Sequence, residues 1–445
     1  MIRAVIRSNA LALSCALILC LLLTAPARAA GLIRDADIEY ALTQLATPIL
    51  QAAGLSPNNV RILVVNDGGL NAFVADTQHI FLNAGLIERL PTARSLQAVI
   101  AHEAAHITNG HITRRAGNMR TARTAAGLGL ILAAAAAAAG QSEAAAGLAI
   151  GTSSSALRLL LAHTRAEEAS ADLSSVRYMV RAGVDPRGAI EVNELFRGQV
   201  NLSERRQDPY MRTHPLTRDR LRAMEGFVAS FGKTLPPDPA ADYWFARAKG
   251  KLSAFRRAPG WTLRRADDSP SRDIALMRQA AAYHKQSNLK NALQAIDEAI
   301  SLRPNDPFLR ELKGQILLES RQAGAAASAY NRAVQLAPGN ALILGGYGRA
   351  LLAQGNYSAA LPVLERARDR DFRDARILRD LSVAYARTGQ NGMASVVTAE
   401  RYALQGRLGD ATIHARRAEG LLPRGSGPYR RAQDVLDAAR RAGIR

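Results

Sequence analysis

The sequence predicts a mainly α protein in two parts: an α+β domain with a small sheet and a metal-binding helix, then an α-solenoid. Three observations predict it. His102-Glu103-Ala104-Ala105-His106 is an HExxH run inside an apolar segment of helical period. A strand-like stretch beginning His79-Ile80-Phe81-Leu82 stands before it. Towards the C-terminus, small residues recur with a spacing of 34, the mark of a helical repeat. With 445 residues, 48% hydrophobic and 22% charged, the chain is long enough for two or three domains with cores of their own.

The first element is a targeting segment. Arg3 and Arg7 form a positive start, Ala10 to Leu23 is an uncharged apolar core, and Pro26-Ala27-Arg28-Ala29 offers an A-x-A cleavage site. The core is too short for a comfortable membrane span. Residues 1–29 are therefore expected to be a cleaved signal peptide, with the periplasm as destination. Cys15 and Cys20 both fall inside it, so the mature chain is expected to carry no disulfide.

Residues 30–226 are expected to form the domain that carries chemistry. Apolar residues at 96, 99, 100 and 101, continued by Ala104, Ala105 and Ile107, make the HExxH segment a mostly buried helix. At i and i+4, His102 and His106 leave one helical face a turn apart, where their nitrogens can converge on one zinc ion. Glu103 then stands beside the metal, able to take a proton from the water that zinc acidifies and pass it to a leaving amine. Two buried imidazoles and a carboxylate without partners would cost several kcal/mol, which a metal relieves. His111 follows Asn109-Gly110 and by spacing lies on another face. It reads equally as a packing or capping histidine and as support behind a ligand.

Thr124 to Ser142 and Ala144 to Leu157 are uncharged and rich in alanine and glycine. They read as a helical hairpin covering the active site of a soluble protein. A peripheral contact with lipid is the alternative, since the second stretch is too short to span about 30 Å of hydrocarbon. Thr213-His214-Pro215, with Arg220 six residues beyond the histidine, is a further small constellation. Pro236-Pro237-Asp238-Pro239 marks a break, and residues 227–272 are expected to be an ordered linker with a helix over Asp242 to Phe255. Its Tyr243-Trp244-Phe245 cluster is expected to staple two domains together.

The segment 273–445 repeats. Ala292, Ala326 and Ala360 share one phase, Ala299, Ala333 and Ala367 another, and Pro304 pairs with Pro338. Ala280, Gly314, Gly348 and Ser382 fill a small position, and Tyr283, Leu317, Leu351 and Tyr385 a large one three residues later. This is the tetratricopeptide pattern: small residues let paired helices approach while large ones fill the groove between neighbours. A further unit runs out of phase through Ala399, Tyr402, Ala411, Ala418 and Pro423, and a basic helix closes the array near Gln433 to Arg441. Such arrays present a groove to a peptide or partner protein.

Asn71-Ala72-Phe73, the His79 to Ile87 stretch, His102-Glu103-xx-His106-xxxx-His111 and Glu168-Ala169-Ser170-Ala171-Asp172 occur in an order that resembles the HtpX and CAAX-prenyl-protease group of zinc metalloproteases. The resemblance implies a zincin-type α+β fold, peptide hydrolysis and one zinc per chain. It carries Glu168 over as the third ligand and Asp172 as the carboxylate that orients a histidine ligand. By residue type alone Glu167 is a rival to Glu168. It also implies that Asn71, Ala72 and Phe73 form a substrate edge strand, and that His214 and Arg220 close the domain. His214 then has two readings, an oxyanion donor or a latch in zinc's open position.

The formal charge is +20, yet only six of 58 basic residues are lysine, and no dense basic run is interleaved with aromatics. Solvated basic faces are expected, with no nucleic-acid partner. A signal peptide, this protease type and a repeat array together resemble periplasmic quality-control metalloproteases of Gram-negative bacteria. That implies unfolded or misassembled outer-membrane proteins as clients, with the assembly machinery as a partner of the repeats. The alternative is a chaperone or scaffold whose protease domain is latent.

Overall fold

A computed structural model describes residues 31–114, 165–199, 206–231 and 235–444. The expected signal peptide and the uncharged stretches of 124–157 lie outside these residues. Among the described residues no helix is long and apolar enough to cross a membrane.

The first domain is built on a four-stranded sheet in the order β1-β2-β4-β3, with β1 at Leu32–Ile33, β2 at Arg61–Val65, β3 at Ala72–Val74 and β4 at His79–Asn83. β2 and β4 are parallel, and the antiparallel β1 and β3 occupy the two edges. The apolar run after His79 is strand only to Asn83; Ala84–Arg89 continues it as a helix. On one face of the sheet pack the helix Ala36–Ala52 and the HExxH helix Ala93–Thr108, sharing a core of Leu42, Leu45, Ile49, Val64, Ile80, Leu82, Leu96 and Ile100.

The HExxH helix is set by local chemistry at both ends. Thr92 caps it by accepting from Ser95 N, while Ser95 Oγ accepts from Thr92 N, a capping box that satisfies two orphan donors. At the far end Gly110 adopts φ +70°, which lets the chain reverse at once into a new helical turn over residues 111–114. Against its start lies the helix Arg187–Arg197. A Cβ on Gly188 would fall 2.3 Å from the Arg94 carbonyl oxygen, so only glycine permits this backbone contact.

The helix Pro239–Arg256 joins the two halves. Phe245, Ala248 and Leu252 belong to the core of the first domain, while Tyr243, Ala246 and Phe255 pack on the first repeat. Ten helices from Arg272 to Arg441 form five hairpins. Ala292, Ala326, Ala360, Ala299, Ala333 and Ala367 are all fully buried between them. A Cβ on Gly314 would meet the Tyr330 ring at 2.7 Å, and one on Gly348 would meet Leu364 at 2.5 Å, which is why the small position must stay small.

The repeats return to the first domain at two places. Buried Arg247 donates to Asp37 Oδ1 (2.7 Å) and to Asp306 in the second hairpin (2.5 Å). Lys251, with no exposed surface, lies 3.0 Å from Asp35, 3.6 Å from Asp37 and 3.6 Å from Glu311. Farther along, Asp371 accepts from Arg34 (2.6 Å) and Arg61 (2.9 Å). None of these pairs was legible in the sequence, because long-range ion pairs leave no periodic trace.

Candidate metal centre

Three separate elements bring their polar groups to one point. The HExxH helix supplies His102 and His106, the helix Arg165–Arg181 supplies Glu168, and His214 arrives at the end of the short helix Pro209–Thr213. All four residues are buried, and one donor atom from each lies within 4.8 Å of the others. His102 Nε2 is 3.1 Å from His106 Nε2 and 3.3 Å from His214 Nδ1. Glu168 Oε1 is 3.0 Å from His214 Nδ1 and 3.4 Å from His106 Nε2.

These separations test whether a metal fits. Tetrahedral zinc with bonds of about 2.0–2.1 Å holds its donor atoms about 3.3 Å apart. The observed spacings scatter around that value. Imidazole nitrogens and a carboxylate oxygen are also the donor types such an ion takes. Glu103 is fully buried beside the group, its Oε1 3.4 Å from His214 Nε2. Glu167 stands apart, paired with Arg114 at 3.4 Å.

A second layer holds the donors in place. His102 Nδ1 is 3.2 Å from Asp172 Oδ1, so the Nδ1 hydrogen points at the carboxylate and the Nε2 lone pair at the centre. Arg220 grips Asp172 with Nε and Nη2, both at 2.8 Å, and reaches Glu168 Oε2 with Nη1 at 2.9 Å. Burial pushes the His102 pKa down, but Asp172 and Glu168 more than reverse it, so the same carboxylates favour positive charge on the ring, and a cation bound at Nε2 would take the place of that proton. Burial likewise raises Glu168, and the His214 and His102 imidazoles override that and keep its carboxyl well below the usual range. Asp172 is lowered in the same way, its burial outweighed by His102 and Arg220.

His111 departs from the spacing argument, which put it on another face. Because Gly110 reverses the chain, the buried His111 Nδ1 comes within 2.9 Å of His106 Nδ1. The Asn-Gly pair before it was the available signal. Tyr210 was not anticipated. Its ring lies 4.8 Å from that of His214 and stacks on Phe196 at 4.8 Å. It stands one helical turn before His214 on a helix that starts with proline, a position that the sequence marks only weakly.

Ala72 and Phe73 lie in β3 and Asn71 immediately precedes it. Asn83 N donates to Asn71 O at 2.9 Å, so by antiparallel alternation Asn71 and Phe73 turn their backbone groups toward β4. The N–H and C=O of Ala72 then point away from β4, on the outer side of the edge strand, where Ala72 itself is fully buried.

Residues 33–228 match the family model described as Peptidase family M48, and residues 275–306 and 317–390 match tetratricopeptide-repeat models. Over 390 residues the chain is 23% identical to the β-barrel assembly-enhancing protease of Escherichia coli, covering 86% of this chain and 79% of that one. Against the protein of the same description from Yersinia pestis the identity is 23% over 413 residues, covering 90% and 84%. Among solved structures, MamA from Desulfovibrio magneticus RS-1 is 19% identical, with 37% of this chain and 95% of that one covered and a TM-score of 0.32. The chain thus carries a metalloprotease domain of Peptidase family M48 followed by tetratricopeptide repeats, and it is homologous to the β-barrel assembly-enhancing proteases along most of its length.

Proposed function

We propose that this protein is a zinc-dependent endopeptidase of the periplasm, acting on unfolded or misassembled outer-membrane proteins that its repeat domain helps to recruit. The observation that carries the chemistry is the convergence of His102, His106, Glu168 and His214 with Glu103 beside them. The printed names of its relatives supply the process, assembly of β-barrel proteins.

His102, His106 and Glu168 would hold one zinc per chain. A zinc ion held there would supply a Lewis acid for the scissile carbonyl and an acidified water. Glu103 takes the proton and delivers it to the departing amine nitrogen. Asp172, held by Arg220, fixes the His102 tautomer, and His111 does the same for His106. Once the buried outer side of β3 is uncovered, Ala72 would offer an extended substrate one backbone donor and one acceptor, the means by which a strand adds to a sheet.

His214 supports a second reading of the resting state. Its Nδ1 stands among the donor atoms at 3.0 Å from Glu168 and 3.3 Å from His102. That position suits a latch better than a donor to the oxyanion, and a latched enzyme would serve mainly as a chaperone or scaffold until a client arrives. A cavity of about 530 Å³ offers a place for such a client or a partner protein. It lies between Leu32–Arg34 and the first helices of the second to fourth hairpins, with Glu311, Glu319, Tyr330, Gly346 and Arg349 in its wall.

Metal analysis of the full chain and of Glu103→Gln tests the assignment. Both should hold one zinc, and the variant should lose peptide hydrolysis by about 10²–10⁴-fold, the usual contribution of a general base. Retained hydrolysis would remove Glu103 from its role. In cells, misassembled outer-membrane proteins should accumulate with Glu103→Gln; if they are cleared as before, the scaffold reading stands instead.

A further inference from the structure

Near the end of the repeat array, between residues 401 and 424, Arg401, Arg407, Arg416, Arg417 and Arg424 stand against Asp410 and Glu419. Both carboxylates are engaged elsewhere. Asp410 accepts from Arg407 at 2.8 Å, while Glu419 adds to Asp437 in holding the charge on Arg440 of the final helix. The preceding Glu400 is taken by Arg431 through two bonds of 2.7 Å. The ion pairs of this region are thus Arg407–Asp410, Arg431–Glu400 and Arg440–Asp437, and among the described residues none includes Arg401, Arg416, Arg417 or Arg424.

The helix Leu408–Leu421 turns one side outward. Ile413, Arg416, Arg417, Gly420 and Leu421 follow the helical period onto one face and all are exposed, while Ala411, Ala415 and Ala418 on the opposite face have no exposed surface. Ile413 is 67% exposed, more than any other large hydrophobic side chain among the described residues, and Leu421 is 51% exposed. Next to Ile413, the His414 ring stacks on Tyr402 at 5.4 Å, and the same Tyr402 ring carries the guanidiniums of Arg401 at 4.6 Å and Arg407 at 4.5 Å.

We infer that this face, Ile413 and Leu421 with Arg416 and Arg417, docks the protein on an anionic phospholipid surface. Single exposed aliphatic residues are ordinary, and single cations are simply solvated. Here the two kinds share one helical face that presents no unengaged carboxylate. That is the combination a bilayer surface takes: aliphatic side chains enter the boundary between headgroups and acyl chains, and cations stay among the phosphates. Arginine suits the second task, because its planar fork bonds two phosphate oxygens at once. Ile413 and Leu421 stand eight residues apart, about 12 Å along the helix axis, with the arginines between them, so the row can meet a plane along its length. Docked in this way, the protein would be concentrated at a bilayer, where its proposed clients insert. The inference does not depend on the metal site.

The test uses the chain from residue 30 on, so that the apolar stretch Ala10 to Leu23 cannot insert by itself. The protein is sedimented with vesicles of equimolar phosphatidylglycerol and phosphatidylcholine, and with vesicles of phosphatidylcholine alone. It should bind the first and not the second, and high salt should release it. Arg416→Gln/Arg417→Gln should weaken binding about 20-fold, from about fivefold for each cation at an anionic surface. Ile413→Ser should weaken it about tenfold, through the apolar area that no longer enters the bilayer. These side chains are exposed, so thermal midpoints should stay where they are. The control is Arg332→Gln/Arg366→Gln, which removes two exposed arginines from earlier hairpins and should change binding by less than about twofold. Equal losses in the two double variants would reveal diffuse attraction by the net charge and overturn the assignment of this face. Undiminished vesicle binding by Arg416→Gln/Arg417→Gln overturns it as well. If Ile413→Ser binds as tightly as the native chain and polyglutamate displaces the vesicles completely, the face is one for an acidic protein, and the lipid reading is wrong.

Discussion

His102 presents its two ring nitrogens to opposite tasks: Nε2 points into the cluster of donor atoms while Nδ1 lies 3.2 Å from Asp172. Asp172 is itself held by two Arg220 nitrogens at 2.8 Å, so the ring is fixed in one tautomer from behind.

Asp172→Ala should therefore weaken zinc binding by about 10–100-fold, the usual loss when a carboxylate behind a ligand histidine is removed. Titration against a competing chelator measures it. Unchanged affinity would mean that the His102 tautomer is set by something other than Asp172.

Ala72→Pro takes away the backbone donor that faces away from β4, without touching the bonds from Asn71 and Phe73 to β4. Peptide hydrolysis should show a raised KM or be abolished, with one zinc still bound. A variant with normal KM would show that substrate does not add to β3.

Arg247 is 1% exposed and lies between Asp37 of the first domain and Asp306 of the repeats. Arg247→Met removes the cation that both carboxylates share, leaving Asp37 with Lys251 at 3.6 Å and Asp306 with Arg303 at 3.8 Å, and chemical denaturation should show a loss of up to about 3–5 kcal/mol. Deleting 273–445 takes Asp306 from Arg247 and Glu311 from Lys251, leaving both cations with Asp35 and Asp37 alone. That truncation should lower the stability of the first domain as well as its action on protein clients. A fully stable truncated domain that cleaves short peptides as well as the full chain would refute this.

Glu311 should make the junction sensitive to pH. Burial raises its pKa first, Asp35 and Asp37 add to this, and Lys251 opposes them, leaving it at about 7 against an ordinary value of 4.5. The folded chain then holds a proton that the unfolded chain has lost, so this contribution is complete below about pH 4.5 and disappears as pH rises through about 7. Comparing thermal midpoints at pH 5 and pH 8, the native chain should lose more on alkalinisation than Glu311→Gln does. Identical shifts in the two proteins would show that Glu311 does not titrate in this window.

What the sequence determined by itself is what repeats over a few residues or at a fixed interval. Two histidines four apart must share a helical face, and residues 34 apart must occupy equivalent places in stacked hairpins. The shared face of His102 and His106, the glutamate beside them and the solenoid were therefore legible before any coordinates. Tertiary structure alone decided which distant groups meet them. His214 reaches His102 across 112 residues of sequence, and the neighbouring Thr213 reaches Asn71 across 142. His111 turns back onto His106 because one glycine takes a positive φ. Arg247 and Lys251 read as two more basic residues in an arginine-rich chain until burial sets carboxylates from both domains around them. The physical reason is the same in each case: local periodicity follows from backbone geometry, whereas long-range polar contacts follow from how whole elements pack.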